Sequence, residues 1–213
     1  LKQLILVSLL FLSGCSLFKM PDPTKPNGEP KIDVVARALD NTVALTTADG
    51  NNIFCSGVAA EGVIFTAAHC VEDNAPFMVA FNGKLYTGLV ILVNLDQDYA
   101  VIDALGARVR DTVPFSELEP VVGQKVVWTG YPLGTELIMG TGIVGNRSSG
   151  DYFMPGAIVV FGQFIPGNSG GPVFDERGLL LGLVSATATF RGGLIPIGYV
   201  VPVKHMKQAL DAL

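Results

Sequence analysis

The chain has 213 residues, room for one large domain or for two small barrels that share a core. Its formal net charge of -5 argues against a nucleic-acid partner, which needs a basic face. With 15% charged and 49% hydrophobic residues, it is not a disordered acidic chain.

The first residues, LKQLILVSLLFLSGCS, combine Lys2, an apolar run from Leu4 to Leu12, and the small residues Ser13 and Gly14. The run is too short to span a bilayer and reads as an export signal over residues 1–14. Its ending, LSGC, resembles a bacterial lipobox. That resemblance implies cleavage before Cys15, a diacylglyceryl group on its thiol, and a membrane-anchored protein in the periplasm or on the cell surface. Residues 15–32 carry four prolines, which block helix and strand pairing, and read as a tether. Residues 33–213 are the expected folded domain. Lipidation of Cys15 leaves two of the three cysteines, Cys55 and Cys70, in an oxidising compartment where a disulfide persists.

From residue 33 onward, short β-segments alternate with turn signals. A short opening helix is expected over 31–39. Strands follow at 42–48, 53–59, 62–67 and 77–93, the last broken by Asn82-Gly83, a strong hairpin signal. Further strands are expected at 98–104, 124–130, 137–145, 157–163, within 171–186, and at 197–203. Residues 203–213 place Met206, Ala209, Leu210 and Leu213 at helical spacing, which predicts a closing helix packed on the core. Many short strands with Gly-rich connections indicate an all-β barrel or sandwich.

The stretch PGNSGGP, residues 166–172, holds one serine among glycines. A hydroxyl attacks only when a base takes its proton, and the oxyanion then formed needs donors. Glycines let backbone N–H groups approach a reacting atom without a Cβ in the way. Of the two histidines, His205 lies in the polar start of the last helix and is expected to face solvent. His69 follows an apolar strand in FTAAHCV and is the candidate base. A carboxylate must fix its tautomer; Asp98, at the head of DYAVIDA, fits best, with Asp96 and Asp103 left open. GNSGG also matches the nucleophile elbow of α/β-hydrolases, but that fold runs serine, acid, histidine, with a helix after the serine. Here the order is His69, Asp98, Ser169, and Pro172 with a strand-like run follows the serine.

FCSGVAAEGVIFTAAHC, DYAVI and GNSGGPV together resemble the three blocks of trypsin-like serine proteases. VVWTGYPLG followed by GTGIVG is similar to the bacterial HtrA/Deg branch, here without that branch's usual PDZ module. The resemblance covers residues 33–213. It implies two six-stranded antiparallel β-barrels with a C-terminal helix and an active site in the cleft between them. It implies His69 as base, Asp98 as its orienting acid, Ser169 as nucleophile, and the N–H groups of Gly167 and Ser169 as oxyanion hole. It also pairs Cys55 with Cys70, and the peptide-cleaving chemistry needs no metal or cofactor.

By the same resemblance Gln163, Ser185, Ala186 and Thr187 bind the substrate. With no Asp at Gln163 and with Thr187 narrowing the entrance, small or medium apolar side chains are favoured. Asn168 stands where the digestive branch has an aspartate that pairs with a new N-terminus. A neutral amide, satisfied by backbone groups, implies an oxyanion loop set by local hydrogen bonds and no such activation step. The alternative function is an idle protease fold serving as a binding module at a cell surface.

Overall fold

The computed structural model describes residues 32–109, 113–150 and 153–213. The expected export signal, Cys15 and the tether up to residue 31 lie outside the described residues.

Twelve strands close into two antiparallel barrels of six. The first holds β1 (Thr42–Thr47), β2 (Ile53–Ala60), β3 (Val63–Thr66), β4 (Phe77–Phe81), β5 (Lys84–Asn94) and β6 (Tyr99–Ala104). The second holds β7 (Lys125–Gly130), β8 (Ile138–Arg147), β9 (Ile158–Phe161), β10 (Pro172–Asp175), β11 (Leu180–Phe190) and β12 (Gly193–Pro202). Helix α1 (Ile32–Asn41) runs straight into β1, and α2 (Val203–Asp211) straight out of β12. The all-β fold with a closing helix is thus the one the strand pattern predicts. Asn82 and Gly83 form the β4–β5 turn at φ +49° and +70°, as a tight hairpin requires.

Alternation along the strands builds three cores. Val43, Leu45, Ile64, Val79 and Ile102 fill the first barrel. Val126, Trp128, Ile158, Val160 and Phe164 fill the second. Between them Phe65, Tyr99, Val101, Phe174, Leu183 and Met206 form a cluster that joins both barrels to α2. β6 serves two cores at once: Ala100 and Ile102 point into the first barrel, Tyr99 and Val101 into the junction. β11 and β12 extend to a hairpin at Arg191–Gly192, well past the predicted limits of 186 and 197. Gly192, Gly193 and Pro196 are poor strand formers and hid this extension.

One buried side chain ties the barrels together. Ser56, on β2, is fully buried. Its N–H donates to the Ser169 carbonyl (2.8 Å), and its hydroxyl donates to the Gly167 carbonyl (2.7 Å) while accepting from the Tyr131 N–H (2.9 Å). Thr42 and Thr129 share a second link of 2.6 Å between the barrels. Ser56→Ala strands a buried donor and a buried acceptor, which costs about 1–3 kcal/mol. Thermal unfolding should show this as a Tm drop of about 2–4 °C per kcal/mol for a domain of this size. An unchanged Tm would mean that the link carries no load.

Candidate active site

His69 sits in a single 3-10 turn, Ala68–Cys70, directly after β3. The turn is pinned by a disulfide from Cys70 to Cys55 on β2, with Cα atoms 6.2 Å apart. A bridge closing a 15-residue separation is worth roughly 3 kcal/mol in the chain-entropy account. The bridge also fixes where the imidazole leaves the barrel.

Asp98 ends the turn between β5 and β6. Its N–H donates to the Leu95 carbonyl, and Gln97 N–H caps on Asn94 Oδ1 (2.9 Å). Asp98 adopts φ +49°, a left-handed conformation that aspartate tolerates better than most residues. That conformation delivers its carboxylate to His69. Nδ1 lies 2.9 Å from Oδ1 and 3.1 Å from Oδ2, and the His69 N–H donates to Oδ1 at 3.1 Å. Asp96 and Asp103 are exposed. Of the three candidate acids, the structure brings Asp98 to the histidine.

Ser185, grouped with the substrate-binding residues from the sequence, does something further. Its hydroxyl donates to Asp98 Oδ2, while its carbonyl accepts from the Ser169 hydroxyl at 3.4 Å. One residue of β11 therefore touches both the acid and the nucleophile. Burial pushes the Asp98 carboxyl up, but the hydrogen bonds from His69 and Ser185 outweigh it and hold the group below the usual carboxylate range. The Asp98 hydrogen bond raises the His69 pKa, and burial only partly opposes it. His205 departs from the solvent-facing expectation. It is partly buried, stacks on Tyr99 with ring centroids 6.2 Å apart, and has its pKa lowered by burial and by Lys204.

The loop before Ser169 is held by backbone bonds. Leu133 N–H reaches the Pro166 carbonyl (2.6 Å), Asn168 N–H the Ile165 carbonyl (3.1 Å), and Gly170 N–H the Val184 carbonyl (2.7 Å). Among the described residues, the N–H groups of Gly167 and Ser169 have no acceptor, so two donors remain for an anion beside the hydroxyl. Gly167 has φ +95°, and a Cβ there would sit 2.2 Å from the Tyr131 carbonyl oxygen; glycine is required. Asn168 is fully buried, yet neither Oδ1 nor Nδ2 has a partner among the described residues. Of these three bonds only the one from Asn168 to Ile165 is local; contrary to the expectation, the loop is held mainly by backbone groups distant in sequence, and the Asn168 amide takes no part.

The residues expected to bind substrate spread out. Gln163 is exposed and Ala186 partly so. Thr187 shares its hydroxyl proton between the Ile195 and Ile197 carbonyls, both at 3.3 Å, which knits β11 to β12. The residue that fills the interior beside this wall is Phe164. Its ring packs edge-on to Trp128 at 5.4 Å and lies where a Cβ on Gly198 would come within 2.1 Å. In sequence it was an apolar residue just past the strand expected at 157–163, with nothing to mark it.

Comparison with known proteins identifies the family and the fold. The family pattern described as "Trypsin-like peptidase domain" matches residues 54–183. Among curated proteins, a "Probable periplasmic serine endoprotease DegP-like" from Rhizobium meliloti is 30% identical over 172 residues, 78% of this chain and 33% of that protein. A protein of the same description from Chlamydia trachomatis is 27% identical over 164 residues, 73% of this chain and 32% of its own. The chain thus spans about a third of the length of these relatives. Among solved structures, the serine endoprotease from Yersinia pestis matches with a TM-score of 0.70 and 23% identity, covering 84% of this chain and 64% of that one. The active form of a protease from M. tuberculosis matches with a TM-score of 0.72 and 20% identity, covering 90% and 86%. These two share the fold. The chain belongs to the trypsin-like peptidase family.

Proposed function

We propose that the chain is an exported serine endopeptidase that cleaves peptide bonds through His69, Asp98 and Ser169. The observation that carries this reading is the Asp98 carboxylate seated 2.9 Å from His69 Nδ1, together with the Gly167 and Ser169 N–H groups that lack an acceptor among the described residues. Asp98 accepts from His69 Nδ1–H, which leaves Nε2 free to accept the Ser169 proton. The hydroxyl turns from the Ser185 carbonyl to that nitrogen as the peptide binds, and Oγ attacks the carbonyl carbon. The new oxyanion takes hydrogen bonds from the Gly167 and Ser169 N–H groups. The imidazolium then gives its proton to the departing amine, and water repeats the cycle on the acyl group. A second reading, an idle protease fold that only binds, draws support from one fact: the Ser169 hydroxyl rests on the Ser185 carbonyl.

A fluorophosphonate probe decides between them. Wild-type protein should label at Ser169, and Ser169→Ala should abolish both labelling and casein cleavage. Asp98→Asn should cost on the order of 10⁴ in turnover, since the wrong tautomer then faces the serine. The base works only when neutral, and the raised His69 pKa delays its deprotonation. The labelling rate should therefore fall with acid at a midpoint above the ordinary imidazole value, and an unlabelled wild type at any pH would end the proposal.

Phe164 sets the size of the accepted side chain. Its ring lies against Gly198, in the wall formed by β11 and β12, and in this reading it favours small or medium apolar groups next to the cut. On a peptide library the wild type should prefer Ala or Val, and Phe164→Leu should shift the preference towards larger residues. An unchanged profile in an active variant would refute this.

Relatives named as periplasmic fit the export signal read from residues 1–14. In this reading Cys15 carries the lipid, and residues 15–32 are the tether of the domain that follows. The full-length protein should partition into detergent and Cys15→Ala into water; an aqueous wild type would remove the anchor.

A further inference from the structure

One cavity is lined by the end of α1, the β4–β5 turn and Tyr131, and its lining includes none of His69, Asp98 and Ser169. It encloses about 430 Å³, within the range of roughly 300–1,000 Å³ typical of small-molecule sites. Leu39, Phe81 and Leu85 give its lining an apolar part, of which Leu39 and Leu85 are exposed. Its rim carries opposite charges on two elements, Asp40 on the last turn of α1 and Lys84 just past the β4–β5 turn. Among the described residues neither takes part in an ion pair. The last turn of α1 has no basic residue, so the carbonyl end of the helix adds to Asp40 in favouring a cation. One rim thus suits an ammonium, the other a carboxylate, and the apolar part of the lining an aliphatic group.

Tyr131 completes the lining, and it is also part of the clamp on the oxyanion loop. Its N–H donates to Ser56 Oγ, which in turn holds the Gly167 carbonyl, and its own carbonyl packs against the Cα of Gly167. Two residues on, Leu133 N–H holds the Pro166 carbonyl at 2.6 Å. Whatever fills the cavity rests on the residue that fixes the Gly167 peptide.

We infer that this cavity is a second ligand site, for a small apolar zwitterion such as a free dipeptide, and that its occupancy steadies the oxyanion loop through Tyr131. The ammonium lies at Asp40 and the α1 terminus, the carboxylate at Lys84, and the aliphatic side chains on Leu39, Phe81 and Leu85. The effect on the loop rests on the proposed protease function; the binding does not.

The test uses leucyl-leucine as probe. Titrated into Ser169→Ala by calorimetry, it should bind one site with a Kd on the order of 1 mM or tighter. N-acetylation or C-amidation of the dipeptide should weaken binding about tenfold, as should Asp40→Asn or Lys84→Gln. Both positions are exposed, so the variants should stay folded. Absence of saturable binding, or binding indifferent to the end groups and to both variants, overturns the site. In wild-type protein, saturating dipeptide should speed fluorophosphonate labelling of Ser169 by a factor of about two to five, and Lys84→Gln should remove the gain. Binding with unchanged or slower labelling overturns the coupling through Tyr131. No labelling with or without dipeptide refutes the protease function instead, and the calorimetry still judges the site.

Discussion

The arrangement around Ser169 depends on a hydroxyl that belongs to the other barrel. Ser56 is fully buried on β2, and through its backbone and side chain it holds the peptide groups of Gly167, Ser169 and Tyr131. A loop built from Pro, Gly, Asn and Ser has little side-chain packing of its own to hold it. Its geometry must be imposed from outside, by groups already fixed in a strand. The same logic explains the neighbouring Gly170, where a Cβ would lie 2.3 Å from the Ser56 carbonyl oxygen. The two barrels meet there at backbone distance, and the meeting defines the two free N–H groups beside the hydroxyl.

Charge follows the same pattern of support from a distance. Asp98 stands in a left-handed turn after β5, and its oxygens are taken up by His69 from the 3-10 turn after β3 and by Ser185 from β11. A half-buried carboxylate is costly without partners, and here each partner comes from a different part of the chain. The acid is stabilised as an anion, and the imidazole is in turn drawn towards its cationic form. Such coupling suits a group that must hold a proton briefly and then release it.

Much of the architecture was legible because local pattern and global fold agree. Alternation marked the strands, Asn82-Gly83 marked the hairpin, and helical spacing marked α2. His69 and Ser169 stood out because few residues of their kind lie in such settings. Asp98 was preferred for its place at the head of DYAVIDA, but residue type alone left Asp96 open. The Leu95–Asp98 turn separates them, since it swings one carboxylate inward and leaves the other in solvent. What stayed hidden were contacts between residues far apart in sequence: Ser56 with Gly167 across 111 positions, and Ser185 with Asp98 across 87. No local signal encodes these. Phe164 was hidden for a different reason, because its effect lies in the absence of a Cβ at Gly198.

Helix α1 joins β1 without an intervening loop, and it packs against β2 of the first barrel and β7 and β10 of the second. The Arg37 guanidinium holds the Gly178 carbonyl at 3.0 Å, and Thr42, at the helix–strand joint, is bonded both to Ala38 and across to Thr129. In mechanical terms the helix is a bracket bolted to both halves. A pull applied upstream of residue 32 is shared between the barrels instead of peeling away a single edge. The cleft between them can then bear tension along the chain without being pried open.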